Sequence, residues 1–281
     1  MKRSRTAYLL LLPGALWLAV FFVVPFYSLV ATSLYGKNGT VLTGYTMDWS
    51  FSNYADALSN YWGPLLRSLA YGGMATLFCL VLGYVLAYAI AFKAGRWKNL
   101  MLVLVIAPFF TSFLIRTLSW KLILADDGLI VNSLQFVHLL GDDGRLLATP
   151  VAVVAGLTYN FLPFMVLPLY ASLEKIDHRL VEAAGDLYAS PFRGFLKVTL
   201  PLSLPGVVAG TLLTFIPSAG DYINAQLLGS PNERMVGNVI QNLFTDANDY
   251  PAAGALSVIM MLIIVVMVLF YIRRAGTEDL V

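Results

Sequence analysis

Charge is scarce in this chain. Asp, Glu, Lys and Arg make up 12% of its 281 residues, against roughly 25% in an average soluble domain, a shortage that excludes an ordinary soluble enzyme. Cysteine is almost missing: Cys79 stands alone, so an internal disulfide and any zinc or iron-sulfur site built from cysteines are excluded. The two histidines, His138 and His178, fall on opposite sides of the membrane inferred below and do not share a metal. No H-E-x-x-H, G-x-S-x-G or G-x-x-x-x-G-K-[ST] pattern occurs, so the chain lacks the glycine-rich cradle that nucleotide phosphates need and is not expected to hydrolyse ATP itself. A net charge of +2 is too small to suggest a nucleic-acid partner.

Apolar residues fill the space that charge leaves. They account for 59% of the chain, the mean hydropathy is +0.75, and they gather in runs near the length of about 20 residues that a helix needs to cross a bilayer. Six runs are predicted to span: Ala7 to Ala31, Ser68 to Phe92, Asn99 to Ile115, Ala148 to Leu173, Leu200 to about Ala219, and Ala252 to Ile272. The first follows Lys2, Arg3 and Arg5 but is too long for a signal peptide and has no small-x-small cleavage site after it, so it reads as an anchor. The prediction is an all-α polytopic membrane protein, one transmembrane domain over 1–281.

Basic residues set the orientation. Lys2, Arg3, Arg5, Lys93, Arg96, Lys98, Lys175, Arg179, Arg193, Lys197, Arg273 and Arg274 fall on one side, and Lys37, Arg67, Arg116, Lys121, Arg145 and Arg234 on the other. The richer side is predicted to be cytoplasmic, and six spans put both termini there. Acids divide the other way. Glu174, Asp177, Glu182, Asp186, Glu278 and Asp279 lie inside; Asp48, Asp56, Asp126, Asp127, Asp142, Asp143, Asp221, Glu233, Asp246 and Asp249 lie outside, leaving the outer face acidic. That is either the residue of keeping bases inside or an attraction for cations. The sequon Asn38-Gly39-Thr40 is too short a match to carry weight.

Prolines interrupt the spans at Pro13, Pro25, Pro108, Pro163, Pro168, Pro205 and Pro217. Each removes a backbone donor, which neighbouring helices or a wet cavity must offset. Gly206 and Gly210 are spaced for close helix approach. Between the fourth and fifth spans lies a cytoplasmic connection, 174–200, in which Leu180, Ala183, Ala184 and Leu187 share one helical stripe before Pro191 ends the helix. Small alanines in that stripe suit the close approach of another protein better than insertion into lipid.

Glu182-Ala-Ala-Gly-Asp-Leu-Tyr-Ala-Ser190, with Pro201 after it, resembles the E-A-A motif of ABC importer permeases, with Tyr188 standing where the family pattern has glycine. Pro108 to Thr117, Thr158 to Asp177, Gly237 to Ile240 and Tyr250 to Gly254 are similar to the spermidine/putrescine branch, specifically the first of its two paired permeases. The resemblance implies the type I, MetI-like fold in the bacterial plasma membrane. It also implies a second homologous permease, two copies of a cytoplasmic ATPase that binds the ATP and Mg, an external substrate-binding protein, and no cofactor in this chain. Coupling to the ATPase would run through Glu182, Ala183, Ala184, Gly185, Asp186, Leu187 and Tyr188.

A polyamine path should offer carboxylates or carbonyls for ammonium groups and aromatic faces for cation-π contact. Asp221, with the adjoining Tyr222, follows the Pro217-Ser-Ala-Gly220 break. In the family an acid there, usually Glu, lies on the pathway, the competing reading being a helix cap at the outer interface. Tyr159, Asn160 and Phe161 lie beside Pro163, where freed carbonyls and an amide would line a wet path, and Trp120 is a further candidate, with an interfacial belt as its alternative. Arg116 is expected to pair with an external acid. Iron or organic-anion importers of the same superfamily are the nearest alternatives. An ion-coupled secondary carrier and a membrane scaffold are more distant ones.

Overall fold

The computed structural model describes residues 5–36, 39, 43–141 and 144–275, with the backbone alone at 5–9 and 275. The expectations placed on Lys2, Arg3, Lys37, Asn38, Thr40, Asp142, Asp143, Glu278 and Asp279 lie outside the described residues. The elements are helical: α1 (Leu10–Ser33), α2 (Ser52–Lys93), α3 (Gly95–Phe110), α4 (Phe113–Ile123), α5 (Leu129–Phe136), α6 (Pro150–Leu173), α7 (His178–Asp186), α8 (Pro191–Leu202), α9 (Leu204–Ala219), α10 (Ile223–Leu228), α11 (Val236–Thr245) and α12 (Tyr250–Ala275).

Helices α1, α2, α6 and α12 are each long and apolar enough to cross a membrane; α3 with α4, and α8 with α9, meet that test only as pairs, bent by 94° and 66°. Counting each bent pair as one crossing gives the six expected spans. Their shapes differ from the straight runs of the sequence reading. The second begins at Ser52 instead of Ser68, because its first four turns are helical without being apolar enough to register. It kinks at Tyr61 (φ −121°, ψ 20°), ahead of Pro64, which offers no N–H to the preceding turn. The third breaks where Thr111 and Ser112 turn extended (ψ 149° and 137°) and then runs on to Ile123. The fifth begins at Pro191 and breaks at Ser203, between Pro201 and Pro205.

The chain divides into two compact units. In the first, Met1–Gly63 with Val239–Ile263, the apolar window of α1 is wholly unburied and its C-terminal end is tied down by polar contacts. Asn53 Nδ2 donates to the carbonyls of Ser33 (3.0 Å) and Tyr35 (2.9 Å), and Ser33 Oγ meets the Tyr54 hydroxyl at 2.5 Å. Gly254 lies against this turn, where a Cβ would come 2.9 Å from the Ser33 nitrogen; the glycine of the Tyr250–Gly254 motif is therefore a close-approach residue.

The second unit, Pro64–Asn238 with Ile264–Val281, is built on the packing of α6 against α9. A Cβ on Gly206 would lie 2.6 Å from Ser172 Cβ and 2.7 Å from the Pro168 carbonyl, and one on Gly210 would lie 2.7 Å from Met165 Sδ. The small-xxx-small pair thus lets two proline-bearing helices approach closely, as expected. Around them Cys79, Ile90, Met165, Val166, Leu169 and Leu173 form one buried cluster, and Tyr71, Val153, Leu157, Phe161, Ala225 and Met235 belong to another. Leu77, Phe78, Val81, Leu82 and Val85 on α2 stay exposed, an outward apolar face of the kind that lipid covers.

Candidate functional site

The connection between α6 and α8 begins with an N-cap. Asp177 Oδ1 accepts the Arg179 N–H at 3.0 Å, satisfying one of the free donors at the start of α7. The helix ends in a double-bonded Schellman turn: Tyr188 N–H donates to the Gly185 carbonyl (2.9 Å) and Ala189 N–H to that of Ala184 (3.0 Å). This turn needs a left-handed residue just past the helix, a role glycine fills without strain. The family glycine is therefore a backbone requirement, and here Tyr188 meets it at φ 59°. Ser190 then caps α8 by accepting the Arg193 N–H at 3.4 Å.

The apolar stripe of α7 divides between two directions. Leu180, Ala183 and Leu187 are exposed, as are Glu182, Gly185 and Asp186. Ala184 is half-buried, and a Cβ on Gly194 of α8 would lie 3.9 Å from its own Cβ. Of the two alanines expected to face a partner, Ala183 is exposed and Ala184 turns back toward α8, because α7 leans on the start of the next span. Beneath them a cavity of about 590 Å³ is lined by Ser172, Lys175, Asp177, Leu180, Pro205 and Gly206, among others. Lys98 Nζ donates to Glu174 Oε1 at 2.5 Å, and the hydrogen bonds from Lys98 and Tyr170 hold the Glu174 carboxyl below its usual range.

The second candidate region is a buried polar chain across α4, α6 and α10. Asp221, 9% exposed, follows the end of α9 and accepts at Oδ1 from the Asn224 N–H (2.7 Å) and from Asn224 Nδ2 (3.2 Å). That commits the Asn224 amide: its oxygen faces Asn160 Nδ2 at 3.0 Å, and Asn160 Nδ2 also donates to Thr117 Oγ1 at 3.2 Å. With both amide hydrogens used, Asn160 presents its Oδ1, which is buried without a hydrogen-bond partner among the described residues. Gly156 makes room for the chain, since a Cβ there would lie 2.8 Å from Asn224 Oδ1. Asp221 is therefore a helix cap, as the competing reading had it, and it is a buried carboxylate whose hydrogen-bond donors are neutral.

The other expected residues lie elsewhere. Trp120 and Tyr159 meet with ring centroids 5.5 Å apart on an apolar cavity of about 660 Å³ that Met74, Phe78, Val151 and Leu162 help to line. Phe161 is a core residue. Tyr222 is partly exposed, and its carbonyl accepts from Asn238 Nδ2 at 2.6 Å. Arg116 is buried, 8% exposed, with its guanidinium 5.7 and 5.6 Å from the rings of Phe109 and Phe113 and with Nε and Nη1 unpartnered among the described residues. Asn224 escaped the sequence reading, although Asp221-x-x-Asn224 after a Pro-Gly break carries the spacing of a side-chain helix cap.

The described residues thus form a polytopic α-helical fold with bent spans, a capped helix between α6 and α8, and a buried carboxyl at Asp221. The family of binding-protein-dependent transport system inner membrane components matches residues 7–275, and the chain belongs to that family as an ABC importer permease, a multi-pass inner-membrane protein. The spermidine/putrescine transport system permease protein PotB of Haemophilus influenzae is 35% identical over 258 residues, 92% of this chain and 90% of that one. PotB of Escherichia coli K12 is 37% identical over 260 residues, 92% and 94% of the two chains. Among solved structures, a chain of a bacterial ABC transporter involved in the import of the acidic polysaccharide alginate superposes with a TM-score of 0.76 at 19% identity, over 99% of this chain and 97% of its own, a likeness of fold.

Proposed function

We propose that this chain forms half of the translocation pathway of an ATP-driven importer of polyamines. The observation that carries the reading is identity of 35–37% with permeases named for spermidine and putrescine over 92% of the chain. The acidic outer loops and the buried carboxylate of Asp221 suit a polycationic cargo, and the barely charged spans suit an anion poorly. In this reading the chain binds no cofactor and hydrolyses no ATP. ATP and Mg belong to two copies of a cytoplasmic ATPase, a second homologous permease completes the pathway, and an external binding protein delivers the substrate. Both termini are cytoplasmic, which places α7 on the ATPase side.

Coupling then runs through the exposed face of Glu182, Ala183, Gly185, Asp186, Leu187 and Tyr188, with Ala184 holding the helix to α8. Closure of the ATPases moves two such helices and switches the permeases between inward-facing and outward-facing states. Asp221, Asn160, which is linked to it through Asn224, and the Trp120–Tyr159 ring pair with Tyr222 contribute to the path, and Phe161 supports it from the core. Reconstitution of the chain with its second permease, ATPase and binding protein in proteoliposomes tests the cargo. ATP-dependent uptake of labelled spermidine or putrescine is expected; an active ATPase with uptake of iron or an organic anion and of no polyamine would overturn it.

A further inference from the structure

Two charged side chains are buried among the described residues, Asp221 at 9% exposure and Arg116 at 8%. The path proposed above uses the first and leaves the second without a part. Arginine keeps its proton in any protein environment, so a buried guanidinium is a permanent charge. Arg116 belongs to neither of the ion pairs among the described residues, Lys98–Glu174 and Arg145–Asp126, and its Nε and Nη1 have no acceptor there. Its neighbours are the rings of Phe109 and Phe113 at 5.7 and 5.6 Å. Ring contact offsets part of the cost of burying the charge, but a ring carries no net charge, so the field of the guanidinium is not cancelled as a carboxylate would cancel it.

That field falls on the buried polar chain. Phe113, Arg116 and Thr117 stand at i, i+3 and i+4 on α4 and so share one face of the helix. Phe113 meets Phe161 of α6 with ring centroids 6.1 Å apart, and Thr117 Oγ1 accepts from Asn160 Nδ2 at 3.2 Å, so this face packs on α6 beside Asn160. From Asn160 the chain runs through Asn224 to Asp221. A cation therefore stands near one end of the chain and a carboxylate at the other, with neutral amides between them. At an effective dielectric of about 20, two unit charges about 10 Å apart alter a binding constant about tenfold or more. A desolvated carboxylate alone would hold an ammonium group firmly, whereas passage requires a hold weak enough to leave.

We infer that Arg116 is a release residue: its unpaired guanidinium repels the ammonium group held at Asp221 and keeps that hold weak enough for the cargo to move on. The inference rests on the polyamine reading and adds to the path a repulsive element that sets turnover.

The test measures three quantities: equilibrium binding of labelled spermidine to the permease–ATPase complex in nanodiscs without binding protein, initial uptake rates of the full complex in proteoliposomes, and thermal unfolding. Arg116→Gln is expected to tighten spermidine binding about tenfold and to lower the maximal uptake rate by at least about threefold. The unfolding temperature should stay level or rise, because an unpaired buried charge is gone. Tighter binding with slower transport is a split that a merely structural role does not produce. Arg116→Met, whose side chain suits the slot between the two rings, should behave as Arg116→Gln does. Arg116→Lys keeps the charge and should stay within about threefold of wild type in binding and uptake. Unchanged or weaker spermidine binding in both neutral variants would overturn the inference alone. So would loss of the permease pair on size exclusion in both, which would assign the guanidinium to a carboxylate of the second permease. A wild-type complex that neither binds nor takes up a polyamine would overturn the cargo reading and this inference with it.

Discussion

Asp221 accepts hydrogen bonds as a cap and, in the proposed function, serves as a buried charge, and the two roles separate by substitution. Asp221→Ala removes the acceptor for the Asn224 N–H and Nδ2. Loss of a capping side chain costs about 0.5–2 kcal/mol, and a buried donor left unsatisfied costs about 1–3 kcal/mol, so a loss of about 2–5 kcal/mol of stability is expected. Asp221→Asn keeps an oxygen where Oδ1 stands and should cost under about 1 kcal/mol. Its effect on transport is of another size. Removing the counter-charge of a desolvated ammonium costs about 2–5 kcal/mol, and 1.4 kcal/mol is tenfold, so polyamine uptake should fall at least tenfold in a complex that assembles, melts and hydrolyses ATP at its basal rate like wild type. Asp221→Glu keeps the charge and should retain most uptake. Initial uptake rates of labelled spermidine in proteoliposomes, beside thermal melts of the purified complex, decide the matter. Equal uptake by wild type and Asp221→Asn would leave the residue a cap and nothing more.

Gly210→Leu drives a side chain onto Met165, whose Sδ would lie 2.7 Å from the new Cβ, and should destabilise the detergent-solubilised permease by about 1–3 kcal/mol. Gly73→Ala, where a Cβ meets nothing within 4 Å, should be neutral or stabilising by up to about 1 kcal/mol; similar losses in both thermal melts would refute the close-packing account. The Lys98–Glu174 pair should be pH-dependent in one direction. Because Lys98 and Tyr170 hold the Glu174 carboxyl below its ordinary 4.5, whatever stability the pair contributes is present above that value and is lost as the pH falls through the folded-state value. Lys98→Gln should then lower the melting temperature near neutral pH and match wild type in strong acid, and a gap that persists unchanged into acid would refute the pairing.

The sequence by itself determined the membrane class, the six apolar crossings, the helix between α6 and α8 with its apolar stripe, and the glycine pair on α9. Each rests on local composition or on spacing along one helix, and a 20-residue apolar run or an i, i+4 pattern is complete within its own stretch of chain. It also marked Asp221, since a lone carboxylate after a broken apolar run is visible without neighbours. It left unsettled whether that carboxylate caps a helix, because a cap is a hydrogen bond to a backbone whose local turn must first be known. It missed Asn224, whose role depends on lying between Asp221 and Asn160, residues 61 positions apart in the chain. Ala184 read as an outward face because its periodicity matches Ala183, and only the lean of α7 onto α8 turns it inward. Sharp bends at Thr111 and Ser203 were unreadable for a related reason, since hydropathy counts apolar residues in a span and is indifferent to its direction. The left-handed Tyr188 shows the division most plainly: the family pattern says that glycine belongs there, and only the folded turn supplies the physical reason, a backbone angle that the Schellman closure of α7 imposes on whatever residue comes next.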